Sequence, residues 1–332
     1  MRAITIPSFG GPDVLALRDL PDPEPGPNEV TIDVAFAAVG LVDALVRRGD
    51  FPMFAPPLIP GLSVAGSVRA IGSDVKTLTP GQPVAAFTAP PAMGGYATIA
   101  RVPAQLAVSL ETQHGIVPPD AAAVAIVNGP TAYLALVDLA DVQRGDAVVV
   151  HGATGALAGM VAQVARHLGA DPLIGTVSHP DKRAHAQTLG YTDVLLSTDD
   201  WVSAVRERTG GRGAAAVVDP VGGPFRRLSL DALRPLGKLL AVGHASAEGD
   251  PLISPTDLWL GNQAILGLNV GALSAAEPER FHAAAESVMS LVAEGAVLPD
   301  VGAILPLTEA TEAHRRLGAR TAIGTLLLDA RR

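Results

Sequence analysis

The spacing of apolar positions changes along this chain. In the first third they form short β-prone runs, RAITI, VTIDVAFAAV and SVAGSVRAI. Proline- and glycine-rich stretches separate these runs: PDPEPGPNE, FPMFAPPLIPG, KTLTPGQP and TAPPAMGG. Short strands punctuated in this way predict an irregular barrel or sandwich, with the proline clusters as surface turns. From about residue 119 to 270 apolar runs alternate with helical stretches. AVVVHG leads into the alanine-rich helix GALAGMVAQVARHLG. PLIGTV, DKRAHAQTLG, DVLLS, WVSAVRERTG, AAAVVDP, PFRRLSLDALRP, KLLAVG and AILGLNV follow. Strands alternating with helices predict an α/β unit built on a doubly wound parallel sheet. Near the end, PERFHAAAESVMSLVAEGAV and EATEAHRRLGAR read as helices, and TAIGTLLLD as a closing strand.

Composition narrows the chemistry. The chain has 332 residues and no cysteine, so it has no disulfide framework, no thiol nucleophile and no thiolate-held zinc or iron–sulfur cluster. A length of 332 residues suggests two domains. The net charge of −9 argues against a basic nucleic-acid footprint or an anionic-membrane binder. The apolar stretches AAAVAIV and AVVVHGATGALAGMVAQVA are interrupted by polar residues or glycines, and neither reads as a clean span of roughly 20 apolar residues. The opening MRAITIPSFGG breaks at Pro7 and Gly10 and is not a secretory signal. The expectation is a cytoplasmic protein.

The turn after AVVVHG carries the most specific chemistry. Gly152-Ala153-Thr154-Gly155-Ala156-Leu157-Ala158-Gly159 joins a strand to a helix. Small residues there let the backbone approach a pyrophosphate, and the helix start presents N–H donors to it. The glycine slots of the dinucleotide fingerprint read Ala153, Gly155 and Ala158, an AxGxxA variant. An acidic residue ending the second strand would mark NAD. That strand, LIGTV, runs instead into Ser178, His179, Lys182 and Arg183. A hydroxyl and two cations suit a 2′-phosphate, so NADPH is expected over NADH. Asp171 precedes the strand and lies at its wrong end.

Over nearly its whole length the sequence resembles the zinc-independent quinone oxidoreductase branch of the medium-chain dehydrogenase/reductase superfamily. The segments carrying the resemblance are FGGPDVLALRDLPDPEPGPNEV, IPGLSVAGSVRAIGSDV, GGYAT, GPTAY, QRGDAVVVHGATGALAG, VVDPVGG and EAHRRLGARTAIGTLLL. The resemblance implies a GroES-like β-rich catalytic domain, residues 1–118 and 274–332, and a Rossmann dinucleotide-binding domain, residues 119–273. Zinc-dependent relatives place a Cys three residues before an Asp, then Gly-His-Glu. The matching Asp is Asp43, so these slots are Gly40 and Gly61-Leu62-Ser63, and no metal is expected. The histidines, among them His151, His167, His282 and His314, are read as scattered over the surface.

Residue by residue, the resemblance places Thr131, Thr154, Gly155, Ala156, Leu157, Ser178, Lys182, Arg183, Ser197, Val221, Gly243, His244, Leu268 and Arg320 against the cofactor. Asn269 falls where backbone groups could reach the carboxamide. The Asn and Tyr that relatives place at the Gly40 and Leu45 slots are missing, as is a hydroxyl at Val42. The substrate pocket expected at Gly40, Val42, Leu45 and Leu62 is therefore more apolar than in those relatives. The proton donor is left open among Thr131, Asn128, Tyr133, His244, backbone N–H groups and solvent.

The implied activity is hydride transfer from NADPH to a quinone or other conjugated carbonyl, without zinc. An enoyl or 2-alkenal reductase, or a non-catalytic NADPH-binding sensor or partner protein, fits the same residues. A homodimer is expected by analogy, through the edge of the last Rossmann strand.

Overall fold

The computed structural model describes residues 1–319 and 322–332 and divides into two compact units, residues 1–127 with 270–332, and residues 128–269. The change of texture at residue 119 marks the start of the helix Pro119–Tyr133 rather than the boundary, which falls inside that helix. The return to the first unit comes at Val270, not residue 274, because a new helix, Val270–Ala276, opens there directly after the last parallel strand.

The first unit is built on a seven-stranded sheet. Its centre is the long strand Glu29–Val39, which pairs antiparallel with Ser63–Ile71, Ile99–Pro103 and Thr325–Asp329. The C-terminal strand thus closes onto the N-terminal sheet, and Val301–Pro306 joins it in parallel. Alternating residues of these strands, among them Val30, Ile32, Val64, Val102 and Leu328, form one buried cluster. Each fully buried aliphatic side chain contributes about 1.5–3 kcal/mol over an exposed one.

The second unit carries six parallel strands. In chain order they are Val148–Val150, Leu173–Val177, Asp193–Leu196, Ala214–Asp219, Leu233–Ala241 and Ala264–Gly267. Their order across the sheet is third, second, first, fourth, fifth, sixth. The order reverses at the first strand, so the crevice of a doubly wound sheet opens between the first and fourth strands. The central strands are apolar as burial on both faces requires, save for Asp219 at the carboxyl end of the fourth.

Among the described residues one helix, Pro119–Leu139 with its last turn wound as a π-helix, is long and apolar enough to cross a bilayer, which the sequence pattern did not anticipate. Two-thirds (67%) of its most apolar window is buried in the fold, and Pro130 lies within the helix.

Candidate functional site

In the second unit the expected cofactor residues gather at one edge. Thr154 to Leu157 follow the first strand, Ser178 the second, Ser197 the third, Val221 the fourth, Gly243 and His244 the fifth, and Leu268 the sixth. All therefore lie at the carboxyl ends of parallel strands, where ligands bind in this architecture. Thr131 is buried near the end of the helix Pro119–Tyr133, which precedes the first parallel strand. Asn128 and Tyr133 share that helix, and both are half-buried. Arg320 lies outside the described residues.

The strand-to-helix turn is close-packed. Gly152 has φ +64°, and Ala153 N–H donates to the Thr176 carbonyl at 2.9 Å. A Cβ placed on Gly175 would lie 2.6 Å from that of Ala153 and 2.9 Å from the Tyr191 ring. Only glycine on the second strand lets the turn come this near. Gly155 caps the helix Ala156–Leu168 and has no side chain with which to bond its first N–H groups. Those donors are left for an anion. After the second strand, Ser178 and Arg183 are exposed and Lys182 is half-exposed. A pyrophosphate at Gly155 to Leu157 and a 2′-phosphate at Ser178 and Lys182 fit these donors, and no carboxylate ends the second strand.

His151, beneath this turn, corrects the surface reading of the histidines: it is fully buried. Ser229 gives its hydroxyl hydrogen to the Phe225 carbonyl at 2.7 Å, so His151 Nε2–H must donate to Ser229 Oγ at 2.9 Å. Its Nδ1 then accepts from Thr176 Oγ1 at 3.0 Å. Burial holds this neutral ring down, to a pKa of about 4. It is a structural hub packed against Trp201 and Phe225, not an acid for chemistry.

In the first unit, Gly40 caps the helix Leu41–Arg48, which carries Val42 in its first turn and Leu45 at its middle. Asp43, which lacked a role in the sequence reading, organises them. Its buried carboxylate accepts Gly40 N–H at 2.8 Å and Gly61 N–H at 3.0 Å, tying together the two segments where relatives carry metal ligands. Tyr96 donates to it at 3.3 Å and lies 3.2 Å from His314 Nε2, which is therefore the protonated nitrogen. Desolvation pushes Asp43 up to about 6, against the pull of its three donors. His314 is also buried, and desolvation with the nearby Arg47 charge lowers it to about 3. Among the described residues no three His, Cys, Asp or Glu side chains group as a metal site. Leu62 is buried and Val42 is 37% exposed, so the expected apolar wall is only partly covered.

Residues 26–112 match the family described as alcohol dehydrogenase GroES-like domain, and residues 156–290 match that described as zinc-binding dehydrogenase. A 2-haloacrylate reductase from a Burkholderia species is 31% identical, with 99% of this chain and 98% of that protein aligned. A quinone oxidoreductase of Pseudomonas aeruginosa is also 31% identical, covering 98% of this chain and 99% of its own. The structure of an Escherichia coli quinone oxidoreductase complexed with NADPH superposes with a TM-score of 0.87 at 27% identity, over 99% of this chain and 100% of that one. The reversed strand order, the small-residue turn and these full-length likenesses agree, and the chain belongs to the medium-chain dehydrogenase/reductase superfamily, in its quinone oxidoreductase-like branch.

Proposed function

We propose that the chain is an NADPH-dependent, zinc-free reductase that delivers hydride to a quinone or another conjugated carbonyl compound. The observation that carries this reading is the carboxyl edge of the parallel sheet, where an uncapped helix start stands beside Ser178, Lys182 and Arg183. The E. coli relative solved with NADPH supports the choice of cofactor.

When bound, the dihydronicotinamide supplies the hydride, and the protein supplies orientation and a dry surface. The first-turn N–H groups of Ala156–Leu168 hold the pyrophosphate against the positive end of the helix dipole. Lys182 and Arg183 neutralise the 2′-phosphate, and Ser178 donates to it. Gly40, Val42, Leu45 and Leu62 offer the acceptor apolar contact and backbone donors rather than a Lewis acid. Asp43 is saturated by Gly40, Gly61 and Tyr96, so it holds that wall in place and is not the proton source. A quinol oxyanion is delocalised and takes its proton from solvent. An enolate needs a nearer donor, and His244, exposed at the edge of the second unit, is the side-chain candidate.

A second reading is reduction of an activated carbon–carbon double bond, favoured by the 2-haloacrylate reductase relative. Mixing the protein with NADPH and a panel of quinones and 2-alkenals, and following loss of the reduced-nicotinamide absorbance, separates the two. Turnover of quinones over alkenals supports a quinone as the acceptor, and the reverse supports reduction of the carbon–carbon double bond. Tight NADPH binding without turnover of any acceptor overturns both in favour of a binding protein. We also propose a homodimer through the edge strand Ala264–Gly267, beside which Trp259 is 73% exposed. Light scattering at the mass of one chain would contradict it.

A further inference from the structure

Two neighbouring loops leave the carboxyl edge of the second unit, residues 220–224 after the fourth strand and residues 242–254 after the fifth. The base of the longer loop is held by backbone bonds, from Ala245 N–H to the Pro220 carbonyl at 3.1 Å and from Ser246 N–H to the Val221 carbonyl at 2.9 Å. Beyond Ser246 the chain is exposed as far as Asp250, and Ala247 has φ +56°. Asp250 ties this outer part back. Its Oδ1 accepts Gly223 N–H at 2.9 Å, and its Oδ2 pairs with Arg226 Nη1.

Arg226, in the first turn of the helix Phe225–Ala232, faces three ways. Besides Asp250, its Nη2 donates to the Gly243 carbonyl at 2.9 Å, and its Nε lies 3.4 Å from Oδ2 of Asp219. Asp219 is fully buried, and its Oδ1 accepts the N–H groups of Val221 at 2.8 Å and Gly222 at 2.9 Å. One guanidinium therefore joins both loops through two carboxylates and a carbonyl. The assembly also places His244, whose Nδ1 lies 3.8 Å from Asp250 Oδ1 and occupies the space a side chain at Gly222 would need. A lysine could not span these directions, because a planar fork has donors fixed in divergent directions and an ammonium does not.

Both loops belong to the half of the doubly wound sheet beyond the strand-order reversal. The helix start and Ser178 serve the other half. In this architecture each half takes one mononucleotide. We propose that Arg226 and Asp250 are positioning residues, a clasp that holds Val221, Gly243 and His244 in place for the nicotinamide half of the cofactor. This rests on the cofactor reading above and adds a function to residues that lie in none of the expected contact positions.

The test is calorimetric titration of the wild type, Arg226→Gln, Asp250→Asn and the double variant with NADPH and with 2′,5′-ADP, which carries only the adenosine half. The clasp predicts that each single variant weakens NADPH about fivefold to twentyfold, the range for losing a charge-assisted pair, while 2′,5′-ADP affinity is unchanged. The double variant should bind NADPH no more weakly than the worse single variant, because the two residues act as one unit. Asp250→Asn alters only an exposed loop, so it keeps the test open if Arg226→Gln fails to fold. Unchanged NADPH affinity in Asp250→Asn, or parallel loss of both ligands, would overturn the clasp. Wild-type protein that binds neither ligand would overturn the cofactor reading itself, and the clasp with it.

Discussion

A 2′-phosphate needs positive charge and hydrogen-bond donors close to the ribose, and the chain offers both just past Val177. Ser178 and Lys182 can both reach a ligand there because neither is buried. Replacing Lys182 with alanine should raise the NADPH dissociation constant about tenfold and leave NADH binding unchanged, since only the phosphorylated ribose loses a charged partner. Paired titrations with the two cofactors check this, and equal losses for both would remove the role. Such residues are legible in sequence because their position follows from where a strand ends. Asp43, His151 and His314 are not. Their roles depend on partners 18 to 218 residues away, and a lone aspartate or histidine in a string carries no sign of burial. Asp43 served only to align the metal slots, while the fold makes it the tie between Gly40 and Gly61.

The approach of the second parallel strand to the cofactor turn depends on a single missing side chain. Gly175→Ala should destabilise the protein by about 1–3 kcal/mol, because the added methyl meets Ala153 and the Tyr191 ring at overpacking distance. NADPH affinity should fall with it as the turn is pushed outward. Thermal unfolding and titration on the same sample check both, and an unchanged melting temperature would show that the turn yields freely. The alternation of strands and helices from Val148 onward was legible because apolar runs of strand length are bounded there by helix starts and glycines. The helix Leu41–Arg48 was not. It has eight residues, opens at a glycine, and takes its cap from Asp43 in its own first turn. Pro119–Tyr133 was obscured by Pro130, which reads as a breaker yet is accommodated inside it.

Each unit buries one neutral histidine, and this gives the whole molecule a pH dependence. The unfolded chain protonates histidine near 6.5, whereas folded His151 resists down to about 4 and folded His314 to about 3. Below 6.5 the unfolded state therefore binds more protons, and stability falls with pH. Asp43 acts in the opposite sense between about 6 and 3.8, because there the folded state holds the proton. Two groups outweigh one, so between pH 6.5 and 5 the net loss should be roughly 2 kcal/mol. Urea midpoints across that range check it, and His314→Gln should flatten the slope. Rising stability on acidification would contradict the buried, neutral assignment. At this scale the division into a β-rich and a doubly wound unit was readable from periodicity, but the boundary was not, because one helix runs through it. The central claim is that the protein uses NADPH, without a metal, to reduce a conjugated carbonyl compound. The most direct test is steady-state turnover of a quinone by chelator-dialysed protein, with NADPH and NADH compared in the same assay and metal content measured alongside. The account predicts full activity without zinc and a kcat/KM for NADPH at least about tenfold above that for NADH. Activity that needs stoichiometric zinc, or a preference for NADH, would contradict it.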